Sequence, residues 1–215
     1  MAKTYYPSVW FVKSLLLTLT RFQVVGGGNV PKTGPLIVVS NHLSQADPPI
    51  IGAGIPRRIV FMAKEELFRS PLMALIVKGF GAFPVRKQGA DRDALRQAQE
   101  VLEKGLALGV FPEGTRSKTA VLQPGMLGAA FIALRTGAPV LPVGICGTEE
   151  LRGAGFLRHP AITINIGEPF TVAPAQGRVT RQALQDLTAY IMERIAQLLP
   201  PSYQGVHDKG VVVGR

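Results

Sequence analysis

The stretch Leu36-Ile37-Val38-Val39-Ser40-Asn41-His42-Leu43-Ser44-Gln45-Ala46-Asp47-Pro48-Pro49 decides how the chain is read. Its first residues are apolar and β-branched without alternation, the pattern of a strand covered on both faces. Pro48-Pro49 suits the first turn of a helix, which makes Asp47 the expected N-cap. Strand, polar loop, helix start is the repeating unit of an α/β sheet, and the loop sits at the strand's carboxyl end, where such sheets place functional groups.

Working outward, further short apolar runs predict strands at Ile59–Met62, Ala82–Val85, Leu108–Phe111, Val140–Ile145 and Ala161–Ile166. Helical patterns alternate with them. One runs from Asp91 to a Gly105 stop, one from Gly125 to Gly137, and one from Thr180 to Pro200-Pro201. One unrepeated series of this kind predicts a single α/β domain with a mostly covered mixed β-sheet flanked by helices. Its expected bounds are 26–200, with a helical segment over 1–25 before it and a loose tail over 201–215.

The composition places the domain near a membrane. The 215 residues are 47% hydrophobic and 18% charged, with mean hydropathy +0.22, apolar for a freely soluble protein. The formal charge is +10, and residues 1–64 hold seven bases against one acid, Asp47. A basic front suits an anionic lipid surface or phosphate-bearing substrates. Nucleic acid is disfavoured, because no basic run, homeodomain-like pattern or aromatic RNA-binding motif accompanies the charge. The single cysteine, Cys146, excludes an intramolecular disulfide and a Cys-based zinc site. It lies in an apolar run and is expected as a buried thiol.

Residues 7–22, Pro-Ser-Val-Trp-Phe-Val-Lys-Ser-Leu-Leu-Leu-Thr-Leu-Thr-Arg-Phe, predict a helix that Gly26-Gly27-Gly28 would end. Only seven uncharged residues separate Lys13 from Arg21, against roughly 20 for a bilayer span. A helix with Trp10, Phe11 and Leu15–Leu17 edged by bases can lie in the interface plane and anchor the protein there. Packing on the protein's own core fits the periodicity equally well. The basic bias favours the membrane, with Arg57 and Arg58 as helpers.

Of three histidines, His207 falls in the tail and His159 in a turn before Pro160, so both are expected at the surface. His42 stands in the loop after the deciding strand, five residues before Asp47. Asp47 either only caps its helix or folds back on His42, holding one ring nitrogen and leaving the other as a base. A second block, Gly109-Val-Phe-Pro-Glu-Gly-Thr-Arg-Ser117, also follows a strand. Gly114 allows close backbone approach, Thr115 and Ser117 offer hydroxyls, Arg116 offers a phosphate fork, and Glu113 can orient Arg116 or contact substrate.

Taken together, Asn41-His42-x4-Asp47, Gly81-Ala-Phe-Pro-Val-Arg86, Phe111-Pro-Glu-Gly-Thr-Arg-Ser117 and Ala138-Pro-Val-Leu-Pro-Val-Gly144 resemble the glycerolipid acyltransferase family, of the lysophosphatidic acid acyltransferase type. The resemblance covers about residues 20–170. It implies direct acyl transfer from an acyl thioester, on coenzyme A or acyl carrier protein, to the sn-2 hydroxyl of lysophosphatidic acid in phospholipid synthesis. It further implies His42 as base, Asp47 as its orienting partner, Arg86 and Arg116 on the acceptor phosphate, and Glu113, Gly114 and Thr115 shaping the acceptor site. No cofactor beyond the acyl donor is implied. The expected setting is peripheral or monotopic, on the cytoplasmic face of a membrane.

One departure is Leu122-Gln123-Pro124-Gly125, where the family often carries an aromatic residue and a lysine before the glycine. It leaves open another acceptor, such as a different lysolipid, a glycolipid or an amino-acid lipid. A serine hydrolase is disfavoured by the missing Gly-x-Ser-x-Gly elbow, and nucleotide binding by the missing glycine-rich loops. A metal site would need ligands clustered around His42, and none is present in sequence. A non-catalytic lipid-binding protein would be expected to have lost the His42–Asp47 pair.

Overall fold

The computed structural model describes residues 5–69, 79, 82–85 and 92–205. Its helices are α1 (Tyr5–Leu19), α2 (Asp47–Gly54), α3 (Arg92–Glu103), α4 (Gly128–Thr136), α5 (Arg181–Ala196) and α6 (Pro201–Gln204). Its strands are β1 (Arg21–Val25), β2 (Leu36–Ser40), β3 (Ile59–Lys64), β4 (Phe83–Val85), β5 (Ala107–Val110), β6 (Val140–Cys146) and β7 (Ala161–Ile166). They form one mixed sheet in the order β1-β7-β6-β2-β5-β3-β4.

Five neighbouring strands, β6, β2, β5, β3 and β4, run parallel. β7 runs antiparallel to β6, and β1 parallel to β7. The carboxyl ends of β2, β5 and β6 therefore share one edge with the amino ends of β7 and β1.

The alternation of side chains along each strand divides the core in two. Ile37, Val39, Val60, Leu108 and Val140 meet Ala98 and Leu102 of α3, Ala130 and Ile132 of α4, and Ile191 and Ile195 of α5. Leu36, Val38, Ile59, Phe61, Leu141 and Ile162 meet Leu16 of α1 and Ile50 and Ile51 of α2 on the other face. β2 and β6 are buried along their whole length, which explains their unbroken apolar sequence.

Residues 5–25 differ from the reading of the sequence. The helix stops at Leu19, and Arg21–Val25 is an edge strand rather than helix. Thr18 and Thr20 turn their hydroxyls back onto the carbonyls of Ser14 and Leu16, the local competition that weakens a helix end. From Arg21 onward exposed and half-buried residues alternate, the period of a strand with one face on the protein. Residues 201–205 also depart from the expected loose tail. α6 is folded there, and the Tyr203 carbonyl accepts the Leu122 amide at 2.8 Å. Residues 206–215, with His207, lie outside the described residues.

Arg57 is not the lipid-facing cation expected of it. Its guanidinium donates to the carbonyls of Pro31, Thr33, Gly34 and Gly105 at 2.6–3.3 Å. Those residues precede β2 and β5, so Arg57 ties the opposite edge of the sheet. Tyr5, at the start of α1, is on that edge too, where its hydroxyl accepts the Ile59 amide at 3.0 Å. α1 thus climbs the sheet from the far edge to the edge of His42.

Gly109 in β5 makes room for Phe61, since a Cβ there would come within 2.4 Å of the Phe61 ring. Gly109→Ala is expected to cost about 1–3 kcal/mol through overpacking, read as a lower urea midpoint. An unchanged midpoint would contradict this packing.

Candidate active site

Asn41 fixes the start of the loop after β2. Its amide group donates to the Ile145 carbonyl and accepts the Ile145 N–H, both at 2.8 Å. This side chain extends the sheet's own pairing to β6, where β2 can no longer reach. The next residue, His42, is thereby placed at the sheet edge, with its side chain 17% exposed.

Asp47 is 0% exposed and does fold back on His42. Its Oδ2 lies 2.8 Å from His42 Nδ1 and accepts the amides of Leu43 and Ser44 at 2.6 and 2.7 Å. Its Oδ1 accepts the Thr148 hydroxyl at 2.6 Å. The carboxylate is an acceptor toward all its neighbours, so Nδ1 carries the proton and Nε2 presents a lone pair. Asp47 is the first helical residue rather than the cap, and its side chain caps no helical amide. The carboxylate is committed to the loop and to Thr148 instead.

Thr148 was not legible as part of the site. It follows Gly147, whose φ of +83° turns the chain off β6, and a Cβ there would lie 1.9 Å from the Ala161 carbonyl oxygen. A Gly-Thr pair directly after a buried strand was the available signal. Phe111 is a second addition. Its ring stacks on the His42 ring at 4.0 Å between centroids, 18° from parallel, and Phe61 stacks behind it at 5.8 Å. The imidazole is thus held by its own hydrogen bond and by a flat apolar wall.

Glu113 lies inside the structure, 4% exposed, and its oxygens hold main chain. Oε1 accepts the His42 amide at 2.7 Å and Oε2 the Gln123 amide at 2.9 Å. Among the described residues no ion pair joins Glu113 to Arg116, so the orienting role read from their spacing is not the one taken. Burial pushes the Glu113 carboxyl up to about 7 despite those two amides. The Ser117 amide donates to the His42 carbonyl at 2.8 Å, and the Ser117 hydroxyl to Val121 at 2.7 Å. The loop after β5 is therefore stitched to the His42 main chain on both sides.

Gly114, Thr115 and Arg116 are exposed at the rim of this loop. Gly114 has φ +64°, a conformation that favours glycine. Arg116 has no acidic partner among the described residues. Arg86 lies outside them. The Gln123 side chain bonds back to the Val121 carbonyl at 2.8 Å. Cys146 is buried, and burial raises its thiol to about 12, as its apolar surroundings in the sequence suggest. His159 is exposed. Ser44 Oγ accepts the Ala46 amide, and Ser40 Oγ donates to the Asn41 carbonyl. Among the described residues no serine is hydrogen-bonded to Nε2, and no group of three or more His, Cys, Asp or Glu side chains is placed to hold a metal ion.

The acyltransferase family model matches residues 21–146. The chain is 29% identical, over 87% of its length and 92% of the relative's, to the 1-acyl-sn-glycerol-3-phosphate acyltransferase of Bacillus subtilis. It is 31% identical to a chloroplastic 1-acyl-sn-glycerol-3-phosphate acyltransferase of Brassica napus, over 69% of this chain and 45% of that protein. It thus spans less than half of the plant relative. The crystal structure of the 1-acyl-sn-glycerophosphate acyltransferase from Thermotoga maritima superposes with a TM-score of 0.65 at 30% identity, covering 85% of this chain and 76% of that one.

Glu113→Gln would turn an NH2 toward one of the two amides that Glu113 now accepts. The expected loss is about 1–3 kcal/mol of stability. The pH dependence has a definite sign. Because the folded state raises this carboxyl from 4.5 to about 7, its contribution is complete below about pH 4.5 and lost as pH rises through about 7. Urea denaturation should therefore show a smaller gap between wild type and Glu113→Gln at about pH 8 than at about pH 5. A gap that widens with pH would refute the assignment.

Proposed function

Since the chain belongs to the acyltransferase family, we propose that it moves a fatty acyl group from an acyl thioester to the free sn-2 hydroxyl of lysophosphatidic acid, yielding phosphatidic acid for phospholipid synthesis. The observation that carries this reading is the His42–Asp47 pair at 2.8 Å, which leaves Nε2 as the ring nitrogen not engaged by the acid, on a side chain 17% exposed.

In the proposed reaction the acceptor hydroxyl approaches His42 Nε2. As its oxygen bonds to the thioester carbonyl carbon, its proton passes to Nε2. Asp47 keeps the ring oriented and stabilises the imidazolium that forms, the role of the acid in a serine-hydrolase triad. The tetrahedral species collapses as the carbon–sulfur bond breaks, and the leaving thiolate recovers the proton from Nε2. The acceptor takes the place of the serine, so no acyl-enzyme is needed.

Thr148 and Phe111 serve as positioning residues here, one fixing the Asp47 carboxylate and the other the imidazole plane. We reassign Glu113 to the same role, because its oxygens are spent on the amides of His42 and Gln123. Arg116, exposed and unpaired among the described residues, is suited to grip the acceptor phosphate. Arg86 is assigned to that phosphate with it, and Gly114 and Thr115 to the wall of the acceptor site. Coenzyme A, which carries phosphates, and acyl carrier protein, which is acidic, both suit a chain of charge +10.

The reaction's lipids place the protein on a membrane surface, and its cytoplasmic face is the proposed side. No described helix is long and apolar enough to cross a bilayer. α1 instead leaves Tyr6, Trp10, Phe11, Leu15 and Leu17 exposed, Trp10 and Phe11 at 70% each. Those side chains, with Lys13 among them, suit a helix lying in the interface.

The test is thiol release from acyl-coenzyme A in mild detergent with lysophosphatidic acid. Release should depend on the acceptor and fall about 10³–10⁴-fold in His42→Ala and in Asp47→Asn. Undiminished release by His42→Ala would end the mechanism. Release only with another lysolipid or glycolipid would move the acceptor assignment and leave the mechanism standing.

A further inference from the structure

The connection from β6 to β7 contains a compact turn that the reaction does not use, Arg152-Gly-Ala-Gly-Phe-Leu-Arg158. It is held by its own main chain. The Gly155 amide donates to Arg152 at 3.1 Å, Leu157 to Ala154 at 3.0 Å, and His159 to Phe156 at 3.3 Å. Gly155 sits so tightly that a Cβ would lie 1.7 Å from the Glu150 carbonyl oxygen. This ordered turn nevertheless holds Leu157 at 69% exposure and Phe156 at 37%. Arg152 and Arg158 flank them, exposed and without ion pairs among the described residues.

Two exposed apolar side chains alone are unremarkable on a protein surface. Their location distinguishes these two. The Arg21 amide donates to the Pro160 carbonyl at 2.9 Å, and Arg21 pairs with Ala161. α1 ends two residues before Arg21, and the turn ends two residues before Pro160. The turn therefore adjoins the end of α1, where Leu17 is 61% exposed. Both meet the sheet at the edge that carries His42.

The charges narrow the occupant. Arg21, Arg152, Arg158 and exposed His159 gather at this corner. Glu150, two residues before the turn, is an exposed acid, while Glu149 is engaged by the Tyr203 hydroxyl. Apolar tips framed by guanidinium groups match a layer of anionic headgroups over acyl chains, the side chains entering the layer and the guanidiniums staying at the phosphates.

We propose that the Arg152–Arg158 turn is a second docking element for an anionic bilayer, seating Phe156 and Leu157 beside α1 and setting the His42 edge against the lipid. This deepens the reading of the protein as an enzyme of membrane lipids and rests on it for its purpose. Its binding is measurable without any catalysis.

Two variants separate the contributions. Phe156→Ser with Leu157→Ser should weaken flotation with phosphatidylcholine vesicles, and with vesicles also containing phosphatidylglycerol, by about tenfold or more. Arg152→Gln with Arg158→Gln should weaken binding to the anionic vesicles alone, by about thirtyfold at low salt, and flatten the salt dependence. Leu157→Ser alone is the reserve should the apolar pair disturb folding. Unchanged vesicle binding by both pairs overturns the proposal. So does unchanged vesicle binding with a loss confined to transfer from acyl carrier protein, which would give this corner to the donor. The expected binding pattern in a protein without acyl transfer would uphold the docking turn and sink the reaction instead.

Discussion

A carboxylate sealed from water must find a donor for nearly every lone pair, and meeting that demand for Asp47 organises one whole edge of the fold. The four donors come from three places: the His42 ring, the amides of Leu43 and Ser44, and the hydroxyl of Thr148. Leaving any one unmade would leave a buried lone pair of the carboxylate without its donor. The loop after β2 curls around Asp47 for this reason, and β6 must end where it does for Thr148 to arrive. A histidine bound into such an arrangement has little freedom left. Its Nδ1 side is fixed by the acid, one of its faces by Phe111, and its main chain by Glu113 and Ser117.

The polarity of the sheet explains how an acyltransferase is assembled from these parts. Five parallel strands deliver loops to one edge, as in other α/β sheets. The reversed pair, β7 and β1, brings α1 and the turn before β7 to that same edge. Apolar surface and the His42 ring thus share one edge of the sheet. The opposite edge is left to structure, where Arg57 ties four carbonyls together and Tyr5 secures the start of α1.

Much of this was legible from the chain alone, and the misreadings share a cause. The buried strands announced themselves because a strand covered on both faces must be apolar throughout, as Leu36–Ser40 is. Arg21–Val25 did not, because an edge strand alternates and its apolar residues continued a preceding apolar helix. The His42–Asp47 pairing was one of two open options, since a five-residue spacing in a loop has no fixed geometry. Glu113 was read as orienting Arg116 or contacting the substrate, because a Glu three residues from an Arg in a turn allows either. Only the fold shows two main-chain amides waiting for it. Thr148 and Tyr203 reach their partners across long stretches of sequence; the Gly147-Thr148 pair marks the turn after β6, but no local pattern names the partner.

The pairing of Arg21 with Ala161 has a consequence for how the chain comes into being. Synthesis proceeds from the amino terminus, so α1 and β1 leave the ribosome long before β7 exists to cover β1. During that interval a greasy helix and an unsatisfied strand travel together, a pair prone to mispairing with other chains. Thr148, too, is still unmade, so the nascent His42 has an acid that is only partly held. A growing chain of this kind is sticky before it is competent, and early capture of α1 by a lipid surface would shelter it while its remaining strands are added.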